Sequence, residues 1–241
     1  MNKFRFKQFE ITQAHSAMKI GTDAVLLGAW CNHRDATFNV LDIGAGTGIL
    51  SLITAQRLAE HTGHFDIEAI EIEENAYEEC VTNFDNSPWS ESLFCYHASL
   101  IEFAQEMEEE YDLILCNPPF YKDYEDQEIT PRSLARSAEF MPLPHIFAAA
   151  EKLCSPQTGE IAIILPYEQQ AEALQIAKMH KFYPYRILKV KGTPDGSFKR
   201  VLLQFQQSES KPDLQELVIE TKRHQYTSEY RKWVKDFYIK M

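Results

Sequence analysis

The chain has 241 residues, 44% hydrophobic and 25% charged, enough for a soluble α/β domain with a full buried core. No stretch approaches the ~18 uninterrupted apolar residues of a membrane span, and the opening MNKFRFKQFEITQ lacks a leader's apolar run, so a cytoplasmic protein is expected. The net charge of −12 argues by its total against a nucleic-acid partner. Cys31, Cys80, Cys95, Cys116 and Cys154 are scattered without a C-x-x-C pair, which predicts reduced thiols and no metal.

Apolar residues at Phe4, Phe6, Phe9 and Ile11 predict a short strand over 4–11. Thr22 or Asp23 is expected to cap a helix ending near Cys31. Strands and helices then alternate: strand 38–43, helix 48–60, strand 65–72, helix 74–86, and strands 93–97 and 113–116. The loop of about twenty-five residues after Cys116 is long for a compact domain, which favours a lid or binding loop. Helix 143–153, strand 160–165 and helix 168–180 follow. Strands 185–190 and 200–206 flank Gly192-Thr193-Pro194-Asp195-Gly196, as in an antiparallel hairpin. This order predicts an α/β fold with a seven-stranded, mostly parallel, doubly wound sheet carrying an antiparallel edge strand.

Charge is unevenly spread. Acid concentrates at 68–79 and 102–110, whereas residues 178–200 hold seven Lys/Arg against Asp195 alone. Residues 221–241 hold six Lys/Arg against two acids, and Lys3, Arg5, Lys7 and Lys19 oppose Glu10 near the start. A polyanion responds to such a local face rather than to the total. Solvated acidic helices and basic strands account for the same pattern.

Val40-Leu41-Asp42-Ile43-Gly44-Ala45-Gly46-Thr47-Gly48 runs an apolar strand into a glycine-rich turn. Glycine permits positive φ and close approach of a ligand. Dinucleotide sites use G-x-G-x-x-G with a pyrophosphate on the helix N-terminus. Here the spacing is G-x-G-x-G and Asp42 precedes it, a carboxylate that would repel pyrophosphate but suits a cationic amino-acid ligand such as the methionine end of S-adenosylmethionine. By itself such a turn also serves as a plain βα connection. Glu71 closes the next strand where a ribose-binding acid is expected, unless it is one more solvated acid among Glu68, Glu73 and Glu74. Ser99 follows the third strand at the level of an adenine ring, and would equally cap a helix.

Asn117-Pro118-Pro119-Phe120 ends the strand 113–116. Prolines cannot extend the ladder, so a stiff loop forms at the strand's carboxyl end, where open α/β sheets bind ligands. An amino group conjugated to a ring or carbonyl is a poor nucleophile because its lone pair is delocalised. The Asn117 amide oxygen and the Pro118 carbonyl can each accept one of its N–H bonds, pulling the nitrogen toward tetrahedral geometry without a strong base. Phe120 offers a ring face for a planar base, where stacking is worth about 1–3 kcal/mol.

The ordered pair VLDIGAGTGILS and NPPF resembles the Rossmann-like class I methyltransferases that modify exocyclic or amide nitrogens. The lead-in from Phe4 to Trp30, with Met18-Lys19-Ile20-Gly21-Thr22-Asp23 at its centre, resembles the bacterial tRNA1(Val) (adenine-37-N6)-methyltransferase family over nearly the whole chain. The resemblance implies S-adenosyl-L-methionine as cofactor and a tRNA anticodon loop as partner. It implies that Met18, Lys19, Gly21, Thr22 and Asp23 close over the cofactor's methionine end, with Asp42, Gly44 and Gly46 as floor and Glu71 on the ribose. Asn117, Pro118 and Phe120 would hold the adenine. Ser99 stands where that family usually has an acid, and serine is a weaker acceptor. Three regions follow: a lead-in at 1–37 closing over the cofactor, the methyltransferase domain at 38–207, and a basic, aromatic extension at 208–241 packed on it.

A loop base must be splayed out to enter a pocket, and aromatics with Arg are the usual holders. Tyr121, Lys122, Tyr124, Arg132 and Arg136 follow Phe120, and Lys222, Arg223, Tyr226, Tyr230, Arg231 and Lys232 lie in the extension. The extension reads equally well as an amphipathic helix packing Trp233 and Phe237. A monomer is favoured. The same catalytic loop would also serve methylation of an rRNA guanine N2 or a release-factor glutamine, and a silent RNA-binding protein on this fold is the third reading.

Overall fold

The computed structural model describes residues 3–16, 19–34, 39–61, 63–119 and 141–240. The lead-in forms β1 (Lys3–Arg5) and β2 (Glu10–Thr12), an antiparallel pair rather than one strand. The reversal between them is held by the Phe6 N–H donating to the Phe9 carbonyl and by the two rings stacking 4.7 Å apart. After α1 (Thr22–Trp30) come β3 (Asn39–Ile43), α2 (Ile49–Ala59), β4 (Asp66–Glu71), α3 (Glu74–Asp85), β5 (Leu93–His97), α4 (Leu100–Glu106) and β6 (Leu113–Cys116). The second half comprises α5 (Leu143–Leu153), β7 (Glu160–Pro166), α6 (Gln170–Met179), β8 (Tyr183–Lys191), β9 (Phe198–Gln206) and β10 (Asp213–Val218). The hairpin β11 (Glu220–Lys222) and β12 (Gln225–Tyr226) and helix α7 (Ser228–Val234) end the chain.

One sheet of eight strands, ordered β5-β4-β3-β6-β7-β9-β8-β10, organises these elements. Its central strands read as continuous apolar runs because both faces are covered; all seven residues of β7 are buried. Alternation divides them between two cores: Val40, Leu113 and Leu115 face one, Leu41, Ile43 and Ile114 the other. The α/β class and mostly parallel sheet are as expected, but the antiparallel strand and the strand count differ. β9 pairs antiparallel with both β7 and β8 and lies inside the sheet. Its five consecutive buried residues require cover on both faces and a partner on both sides, whereas β8 and β10 are only partly buried and suit the periphery. The eighth strand, β10, comes from the extension and pairs parallel with β8.

The first core is deep. Nine of eleven residues of α2 and seven of nine in α1 are buried, so neither helix has a polar face, and α1 lies between α2 and α7. Tyr230, Val234 and Phe237 of the extension complete this core, so its aromatic residues are used in packing. Neither Thr22 nor Asp23 caps α1: the N-cap is Gly21, without a side-chain bond, and the Asp23 carboxylate instead accepts from Arg200 Nε at 2.7 Å. Gly28 brings α1 and α2 together, since a Cβ there would sit 2.7 Å from Ile53 Cγ2. Gly28→Val should therefore lower stability by about 1–3 kcal/mol despite the better helix propensity. Urea unfolding measures this, and an unchanged midpoint would mean that the two helices part freely.

Candidate active site

The order of strands reverses between β3 and β6, with the chain building outward to β5 before crossing to β6 and β7. Above such a reversal the loops at the carboxyl ends of the strands diverge and leave a crevice. A cavity of about 360 Å³ lies there, within the usual range for cofactor pockets. It gathers Gly44 and Gly46 after β3, Glu71 at the end of β4, Ser99 after β5 and Asn117 after β6.

The turn after β3 spends its own donors. Gly44 and Ala45 N–H both donate to the Ile70 carbonyl, Gly48 N–H to the Ala45 carbonyl, and Gly46 N–H to Glu71 Oε2 at 2.8 Å. Glycine is needed at 44 and 46, where φ is +72° and +57°, and at Gly44 a Cβ would also meet Met141 Cε at 2.5 Å. The first turn of α2 is similarly closed: Ser51 donates its N–H (3.1 Å) and hydroxyl (2.6 Å) to Asp42 Oδ2. A carboxylate thus takes the place that a pyrophosphate occupies at a dinucleotide site. Asp42 is 1% exposed, and burial pushes its pKa to about 7 against the two Ser51 bonds.

Glu71 shares its carboxylate between two loops. Oε2 accepts from Gly46, while Oε1 accepts from the Ile72 and Glu73 N–H groups, each at 2.9 Å. These fix its direction and leave lone pairs toward the cavity for hydroxyl donors. Ile72, Ala98 and Leu100 provide apolar wall beyond it. Ser99 lines the cavity but is also the N-cap of α4, in a capping box with Glu102: its hydroxyl donates to Glu102 Oε2 at 2.7 Å and accepts from the Glu102 N–H.

The lead-in is tied over this floor from α3. Glu79, 6% exposed, accepts from the backbone N–H groups of Ala14, His15 and Ser16 and from the Ser16 hydroxyl. Burial works against its charge, but the bonds outweigh it and hold the carboxyl below its usual range. Asn83 accepts from Thr12 N–H and donates to the carbonyls of Thr12 and Thr47, joining the lead-in to the glycine turn. Lys19 binds the carbonyls of Gln13, Ala14 and Ser16 with its ammonium, and Ile20 N–H donates to Gln13 Oε1. Lys19, Gly21 and Asp23 reach the cavity wall, whereas Thr22 does not.

Asn117 supplies the feature with most chemical meaning. Its Oδ1 is buried and has no hydrogen-bond partner among the described residues. Of the five such side-chain atoms found there, it alone belongs to a residue lining the cavity. Leaving a buried acceptor unmade costs about 1–3 kcal/mol, a cost that a ligand's N–H would relieve. Pro118 is buried, and of the two prolines Pro119 is the one that lines the cavity. Met18, Phe120, Tyr121, Lys122, Tyr124, Arg132 and Arg136 lie outside the described residues. Sequence reasoning missed Ser16, Met141 and Arg200 as cavity residues. Arg200 carries no local motif; only the insertion of β9 beside β7 brings it to Asp23.

The donor set fits S-adenosyl-L-methionine. A ligand with an ammonium and a sulfonium meets acceptors at Asp42, and ribose hydroxyls meet Glu71, while the Gly46 and Ser51 N–H groups are already bound to these carboxylates. The methyltransferase small domain family matches residues 12–142. The chain is 47% identical over 238 residues to the tRNA1(Val) (adenine(37)-N6)-methyltransferase of Flavobacterium psychrophilum, covering 99% of this chain and 100% of that protein. It is 49% identical over 240 residues to the protein of the same name from Flavobacterium johnsoniae, again over 99% and 100%. Among solved structures, a protein described as a predicted O-methyltransferase from Agrobacterium tumefaciens superposes with a TM-score of 0.68 at 17% identity, over 89% of this chain and 96% of that one.

The buried Asp42 makes stability depend on pH. Its folded pKa, about 7, exceeds the ordinary aspartate value of about 3.9, so between these values the folded chain binds the proton more tightly. Its contribution is therefore complete below about pH 4 and lost as pH rises through 7. In urea unfolding at pH 5 and pH 8, the wild type should lose stability relative to Asp42→Asn. Parallel pH dependence in the two proteins would show Asp42 to be ionised throughout.

Proposed function

The chain belongs to the methyltransferase small domain family and, within it, to the tRNA1(Val) (adenine(37)-N6)-methyltransferases, and we propose that it methylates N6 of adenine 37 in the anticodon loop of a valine tRNA. It is an S-adenosylmethionine-dependent enzyme. The observation that carries the site assignment is the buried Oδ1 of the cavity-lining Asn117, which has no hydrogen-bond partner among the described residues.

S-adenosyl-L-methionine supplies, when bound, a methyl group activated by a positive sulfonium. Asp42 and the turn at Gly44 and Gly46 would hold its methionine end, Glu71 its ribose, and Ile72, Ala98 and Leu100 the faces of its adenine. Lys19, Gly21 and Asp23 would form the roof at the methionine end. Met18 is assigned to the same roof by family membership.

The chemical work of the protein falls on Asn117 and Pro118. Adenine N6 shares its lone pair with the ring, and the nitrogen becomes nucleophilic only when that sharing is interrupted. Asn117 Oδ1 accepts one N6 hydrogen and the Pro118 carbonyl the other, which turns the lone pair out of the ring plane. Among the described residues no donor competes for the Pro118 carbonyl. Both acceptors sit on a loop stiffened by consecutive prolines, so little reorganisation accompanies the transfer. Once methylated, the nitrogen is positively charged and gives up its proton readily, so a group matched to the basicity of the starting amine is unnecessary.

Asn117→Ala should lower kcat about a hundredfold or more while leaving the cofactor Kd within a few-fold. Incubation with labelled cofactor and unmodified valine tRNA, followed by nucleoside mass spectrometry, reads product and position together. N6-methyladenosine at position 37 is the expected product. A methylated guanine, a methylated glutamine in a release factor, or an Asn117→Ala enzyme of full activity would overturn the assignment.

A further inference from the structure

Of the seven cations between residues 178 and 200, the fold sends only some to the edge of the sheet that carries the cavity. Arg186 lies in the first half of β8, 4.5 Å over the Trp30 ring. Lys189 and Lys191, at the end of β8, and Lys199 and Arg200, at the start of β9, rise beside Pro166 of β7. Arg200 lines the cavity itself, paired with Asp23, so this end of the hairpin adjoins the site.

This edge has a built character that scattered surface lysines lack. The Tyr167 and Phe198 rings lie 5.1 Å apart, with Lys189 Nζ 5.7 Å from each ring centre and Lys191 Nζ 4.7 Å from that of Phe198. Rings that hold the ammonium groups spend part of the lysine rotamer freedom before any ligand arrives. Among the described residues, Lys189, Lys191 and Lys199 make no ion pair with a carboxylate. Pre-positioned cations with no carboxylate at ion-pair distance among the described residues, on a chain of net charge −12, are complementary to a polyanion.

The distances suit the substrate. Asn117 directly follows Cys116, which pairs with Ile163 of β7, and β9 and β8 lie two and three strands from β6. At the usual strand spacing and rise per residue the lysines stand about 14–20 Å from the Asn117 level, a gap that a few nucleotides of splayed loop would span. Resting on the reading of the chain as a tRNA-modifying enzyme, we propose that the β8–β9 edge, through Lys189, Lys191 and Lys199, is the docking ledge for the tRNA backbone flanking the flipped adenine. The exposed cations Arg231 and Lys232 of α7 are not required for it.

Fluorescence anisotropy with unmodified valine tRNA at several salt concentrations tests the ledge. The triple variant Lys189→Gln, Lys191→Gln, Lys199→Gln should bind tenfold or more weakly, with the log–log salt slope reduced by about 2. Its cofactor affinity by calorimetry should be unchanged, and methylation should show a raised KM with kcat retained at saturating tRNA. Arginine at the same three positions should restore binding, and Arg231→Gln with Lys232→Gln should bind as wild type. If the triple variant does not fold, the exposed Lys199→Gln alone should still reduce the slope by about 0.7. Wild-type affinity and slope in the hairpin variants, or a loss confined to the α7 variant, would overturn the ledge while leaving the assigned reaction intact. A wild-type chain that neither binds nor methylates tRNA would overturn both.

Discussion

The carboxylate of Glu71 is the joint on which the site depends. It is the last residue of β4, yet it reaches across to the Gly46 N–H after β3 while holding its own following turn by two more N–H groups. Two strand ends that would otherwise splay apart are thereby fixed to one planar group. The same bond removes Gly46 as an anion donor, and Asp42 does likewise for the Ser51 N–H in the first turn of α2. Two acidic residues thus convert a βα turn that elsewhere binds phosphate into one suited to a positively charged amino-acid ligand.

Much of this was legible in the sequence because it is local. The G-x-G-x-G spacing, the Asp before it and the Asn-Pro-Pro stop are each set by a few consecutive residues, and the strand–helix alternation follows from apolar runs broken by turn residues. What failed was non-local. Whether a hairpin's second strand ends outside or inside a sheet is decided by which strand has both faces and both edges to satisfy, so β9 took the interior and β10 extended the edge. The ion pair of Asp23 with Arg200, 177 residues apart, has no trace in either neighbourhood. Ser99 is legible in both roles, since it lines the cavity and also caps a helix, as its position after a strand suggests; only the extent of that helix lacks a sequence signal.

Charge follows a division of labour across the molecule. Acidic side chains are spent inward on backbone N–H groups, as at Asp42, Glu71, Glu73 and Glu79, where they hold loops in place. Basic side chains at the cavity edge are left outward over aromatic rings. A net charge of −12 is therefore a poor guide to the surface that a partner meets.

The close approach of α1 and α2 at Gly28 reaches further than packing. The first turn of α1 contributes Asp23 and Ala24 to the cavity, and the first turn of α2 contributes Ile49 and Leu50. Because one glycine locks the two rods side by side, opposite walls of the donor chamber keep a constant separation. The gauge of that chamber is set by a contact among aliphatic groups, at a point with no part in the chemistry.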